Sequence, residues 1–121
     1  MRSDTRPTLE ICVDTPDDLL TAAQAGVDRI ELCSALALGG LTPTPGLIGL
    51  ARSVAVPVYV MIRPRGGDFC YSLAELDVMH REIEAIRQAG LAGVVFGVAT
   101  FDGALSTEAM TALSRTAQGL G

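Results

Sequence analysis

The 121 residues, 49% of them hydrophobic, suffice for one globular domain and are too apolar for a disordered chain. A formal net charge of −5, with nine arginines and no lysine set against fourteen acids, lacks the clustered basic surface that phosphate contacts need, so nucleic acid is not expected as a partner. Arg52, Pro57 and Arg63 interrupt the longest apolar runs and Met1–Pro7 has no signal-peptide core, so no membrane partner and a cytoplasmic location are expected.

Along the chain, strand and helix signals alternate four times. A first strand is predicted over Leu9–Val13, followed by a helix that Thr15, Pro16 and two aspartates open and Gly26 closes. A second strand over Arg29–Cys33 leads through Thr42-Pro43-Thr44-Pro45 into a short helix over Leu47–Val54. The third strand, Val58–Arg63, precedes a helix with a capping box at Ser72 and Glu75 and an end at Gly90. Gly93–Val98 reads as the fourth strand, and Ser106 caps a last helix that carries Leu113 towards Gln118. Gln24–Ile30 and Gln88–Val94 echo one another at the same helix-to-strand corner, two units apart.

Strands joined by such helices are parallel with right-handed crossovers, which leaves a barrel or an open doubly wound sheet. Leu9, Ile11 and Val13 alternate with Glu10 and Cys12; Ile30 and Leu32 with Glu31 and Cys33; Val58, Val60 and Ile62 with Tyr59, Met61 and Arg63. An open sheet is apolar on both faces, whereas a barrel covers one face with helices and can place polar groups on the other. The expected fold is therefore α/β, a parallel (β/α) repeat of four units forming half of a TIM-like barrel. It spans 1–121 as a single partial or truncated domain, since eight units take about 250 residues. Unclosed edges invite a homo-oligomer or a missing second half-barrel, and an inactive fragment is a further reading.

Ile62-Arg63-Pro64-Arg65-Gly66-Gly67-Asp68-Phe69-Cys70-Tyr71 ends the third strand with two forked cations, two glycines and a carboxylate. Arg63, Arg65, Gly66, Gly67 and Asp68 could hold a small anionic ligand; the plain alternative is a tight turn whose arginines pair with nearby acids. With Glu10 and Glu31 they are also the inventory of an enzyme acting on a small anionic substrate, although Arg63 paired with Glu10 or Glu31 would merely neutralise buried charge. Absence of lysine excludes a Schiff-base aldolase mechanism. His80, mid-helix beside Arg81 and Glu82, reads as a solvated surface residue.

Leu9–Cys12, Gly26–Cys33, Gly39–Pro43 and above all Ile62–Ser72 resemble, in order, the CutC family of copper-homeostasis proteins. The resemblance implies a cytoplasmic TIM-like barrel that handles copper, with Cys12 and Cys33 as the recurring cysteines. Members continue through four more βα units. Adjacent strands lie roughly 4.8 Å apart, so thiolates at Cys12 and Cys33 could share one Cu(I), with Met61 adding a thioether. Against this stands the habit of free cysteine to pack as a small hydrophobe. Cys70 is expected to pack or cap.

Overall fold

The computed structural model describes residues 5–121; most of the Met1–Pro7 segment, Met1–Asp4, lies outside the described residues. Four strands, β1 (Glu10–Val13), β2 (Arg29–Leu32), β3 (Val58–Met61) and β4 (Gly93–Val95), pair in parallel in sequential order. Between and after them run α1 (Pro16–Gln24), α2 (Pro45–Ala51), α3 (Leu73–Ala89) and α4 (Thr107–Thr116). This is the (β/α) half-barrel that the alternation predicts. The strands are shorter than the sequence suggests, because the residues after Met61 and Val95 leave the ladder for the loops of the C-terminal face. The second helix instead begins earlier, at Pro45, where Thr44 supplies the cap.

Local chemistry explains the helix boundaries. Thr15, Thr44, Ser72 and Ser106 each accept a hydrogen bond from a backbone N–H of the following turn, satisfying donors that have no partner inside the helix. Ser72 and Glu75 form the reciprocal capping box of α3, and Gly90 ends it in the left-handed conformation at φ +75°.

All four helices contribute to a single core. Leu19 of α1, Leu47 and Ala51 of α2, Met79, Ile83 and Ile86 of α3, and Leu113 of α4 pack with Val13, Ile30, Leu32, Val58, Val60 and Ile62. One sheet face is therefore helix-covered, and the register places Cys12, Glu31, Tyr59 and Gly93 in one row on the other. Gly121 extends this row: its N–H donates to the Ala92 carbonyl and its own carbonyl accepts from Val94, the pattern of a parallel bridge.

The expected burial of the first strand is corrected at its near end. Leu9 and Ile11 remain 50% and 36% exposed, because β1 is an edge strand with helical cover on one side only. Ile11 sits beside Ile30, which is fully buried. Ile30→Ala should therefore lower unfolding free energy by about 2–5 kcal/mol, whereas Ile11→Ala should cost well under half as much, as read from urea denaturation midpoints.

Candidate metal centre

Cys12 projects from the edge strand opposite Glu31, and its thiol donates to the Glu31 carboxylate at 3.5 Å. Cys33 follows β2 two residues beyond Glu31, so it belongs to the same face one step nearer the C-terminal end of the strands. Burial, followed by the charges of Glu31 and Cys12, pushes the Cys33 thiol up to about 12. Burial and Glu31 also raise Cys12. Glu31 itself is raised, chiefly by burial, with the Cys12 contact opposing. Both thiols are accordingly protonated at neutral pH.

Exposure separates the two cysteines. Cys12 is open, whereas Cys33 is 1% exposed because the chain that leaves β2 folds back over it. Ser34 and Leu41 form a two-bond antiparallel bridge, with a short 3-10 turn at Leu36–Leu38 between them. A Cβ added to Gly40 would lie 3.2 Å from the Cys33 sulfur. This cover left little signal in the sequence. The glycine pair Gly39-Gly40, at φ +91° and +94°, was its only trace.

Arg63 provides the largest correction. It does not turn towards Glu10 or Glu31: Glu10 pairs with Arg29 at 2.5 Å, and Glu31 takes the Cys12 thiol. Arg63 is instead 7% exposed and donates to the carbonyls of Leu38 at 2.7 Å, Gly40 at 3.2 Å and Gly67 at 2.9 Å, with its plane over Phe69. Backbone carbonyls stand where carboxylates were expected. They satisfy both terminal nitrogens without bringing a second buried charge, whereas the buried Nε has no hydrogen-bond partner.

Arg65 is likewise engaged within the loop. It pairs with Glu75 at 2.5 Å and Asp68 at 3.1 Å, donates to the carbonyls of Gly66, Asp68 and Cys70, and stacks over Tyr71. Asp68 turns back to accept from the Cys70 N–H, while Gly67 takes φ +91°. Cys70 packs as expected, its thiol donating to the Thr100 carbonyl. His80 is not solvated: it is half-buried between α3 and α4, with Nδ1 2.7 Å from the Thr116 hydroxyl.

One contributor to the polar face went unread in the sequence. Arg29 pairs with Glu10 and stacks over Tyr59, whose ring lies against Gly93 and Gly121. The period of two that picked out Glu31 also points to Arg29. Among the described residues no group of three or more His, Cys, Asp or Glu is placed to hold a metal, so a four-ligand zinc set is absent there. The donor set that remains, two thiols with Met61 on the same face of β3, suits a soft ion of low coordination number.

Comparison with known proteins points in one direction. The model of the CutC family matches residues 7–121. A family protein CutC of Rhizobium meliloti is 57% identical over 116 residues, which cover 96% of this chain and 47% of that protein; one of Caulobacter vibrioides is 54% identical with the same coverage. The crystal structure of a CutC protein from Streptococcus agalactiae, named for copper homeostasis, superposes with a TM-score of 0.86 at 36% identity, covering 94% of this chain and 57% of that one. The chain thus spans about half the length of the curated relatives it matches.

The arginine loop makes a testable electrostatic contribution. Hydrogen bonds from Arg65 and then from the Ser72 backbone hold the Glu75 carboxyl below its ordinary value of 4.5. A depressed carboxylate stabilises the fold above its unfolded value, and that contribution disappears as pH falls through the folded one. Glu75→Gln should therefore flatten the decline of thermal midpoint on acidification below about pH 4.5, leaving the neutral-to-alkaline limb unchanged.

Proposed function

The chain belongs to the CutC family, and from that premise we propose that it is a cytoplasmic copper-homeostasis protein that handles Cu(I) through Cys12 and Cys33. What carries the reading is the shared face of the two thiols, Cys12 on β1 opposite Glu31 and Cys33 just past the end of β2, two residues beyond Glu31. Cu(I) accepts two sulfur ligands, and Met61 on the neighbouring strand offers a third soft donor. Copper is the cargo in this reading, not a resident cofactor. The name of the Streptococcus agalactiae protein supports that direction.

Metal capture must displace protons from both thiols, since the thiolate is the ligand. Because burial raises both pKa values, that of Cys33 to about 12, protons compete strongly and affinity should climb with pH. A complete barrel wall also requires a second half-barrel, from further βα units or a second copy, to cover the polar face and the edge at β1. The alternative of an enzyme acting on a small anionic substrate draws less support. Arg63 and Arg65 are committed to carbonyls and acids of their own loop, and Glu10 to Arg29.

Anaerobic competition against a Cu(I) chelator tests the copper reading. Reduced protein should bind Cu(I) stoichiometrically and in preference to Zn(II), and Cys12→Ser/Cys33→Ser should abolish binding while Cys70→Ser preserves it. Apparent affinity should rise by about a hundredfold per pH unit across the neutral range if both protons are displaced, and by about tenfold if only one is. Equal binding by wild type and the double variant would remove the assignment.

A further inference from the structure

The segment Ala35–Gly40 covers Cys33 yet is attached to the rest of the protein in an unusual way. Its backbone hydrogen bonds are internal, from Leu38 to Ala35, Gly39 to Leu36 and Gly40 to Ala35, and the Ser34–Leu41 bridge closes its neck. Beyond the neck, two side chains hold it: Asp14 accepts from the Leu36 N–H at 3.0 Å, and Arg63 grips the Leu38 and Gly40 carbonyls. None of Leu36–Leu38 is buried, and Leu38 is 59% exposed, so raising the segment uncovers little apolar surface. Ala35 meanwhile sits at φ +50°, ψ +54°, a left-handed position that a residue with a Cβ adopts at a cost.

A narrow neck, a strained first residue, an unburied turn and polar tethers are the features of a unit that opens locally rather than with the whole domain. We propose that Ala35–Gly40 is a lid over Cys33 and that Arg63 is its latch, its fork joining the lid carbonyls to Gly67 in the arginine loop. Opening breaks the two Arg63 bonds to Leu38 and Gly40 and the Asp14 bond to the Leu36 N–H, lifts Gly40 from the sulfur and leaves the core of Ile30, Leu32 and Val60 intact. Arg63 is thus a positioning residue for access to one thiol. As the route by which Cu(I) reaches Cys33, the lid rests on the copper reading; thiol exposure itself does not.

The test uses the chain with Cys12→Ser/Cys70→Ser, so that Cys33 is the single thiol, and follows its reaction with an aromatic disulfide reagent at several urea concentrations below the unfolding transition. Labelling through the lid should show a shallow dependence on urea, because local opening exposes little surface, whereas labelling through global unfolding carries the full equilibrium slope. Arg63→Gln should accelerate labelling tenfold or more while keeping the shallow slope. Should that variant fail to fold, Gly40→Ala decides the matter: its methyl would press on the Cys33 sulfur from a φ of +94°, and it too should accelerate labelling. A full urea slope in the parent, or unchanged labelling in folded variants, would overturn the lid. Chelator competition run in parallel reports on copper separately, so loss of metal binding with intact lid kinetics would count against copper alone.

Discussion

The guanidinium of Arg63 is the contact on which the C-terminal face of this half-barrel depends. A buried cation needs partners for its donors, and here the carbonyls of Leu38, Gly40 and Gly67 supply them to the two terminal nitrogens from two separate loops. Hydrogen bonds to a charged group contribute about 1.5–3 kcal/mol each, so this one side chain outweighs the apolar contacts of the turn it holds. The loop after β2 and the loop after β3 are consequently joined through one side chain. Phe69 and Tyr71 brace the two arginines from their ring faces, and Glu75 ties the arrangement to the first turn of α3.

Those loops stand above an incomplete wall. Helices cover only one side of the sheet, and the register continues from Cys12 across Glu31, Tyr59 and Gly93 to Gly121, leaving β1 as the open edge. The chain nonetheless matches a longer CutC chain closely in structure, at a TM-score of 0.86. Sequential βα units bury most of their apolar area against immediate neighbours, which is why the half can keep the geometry of the larger fold.

Much of this was legible because it rests on local rules. The period-two alternation in Val58–Ile62 marked a helix-covered face, and Ser72 with Glu75 marked a helix start, each from residues only a few positions apart. The partners of Arg63 were not legible, since they are backbone carbonyls, two of them 25 and 23 residues away and the third four residues on, and every residue type carries one. Charge pairing suggested Glu10 or Glu31, but Arg29 lay directly across from Glu10 in the register and was closer. The cover over Cys33 was illegible for a related reason: strand parity gives the face of a side chain and says nothing about a loop returning to cover it. His80 was misplaced because its neighbours Arg81 and Glu82 are charged, while its own direction leads to the seam with α4.

Tyr59 offers a last point. Its ring occupies the space above Gly93, where an added Cβ would come within 2.6 Å of the ring and closer still to the carbonyl of Gly121. Three consecutive strand positions therefore draw on one shared volume, filled once by a phenol and left empty twice by glycines. A side chain at 93 would require both a smaller residue at 59 and a backbone at 121 that stands further off, so these positions should change as a set or not at all.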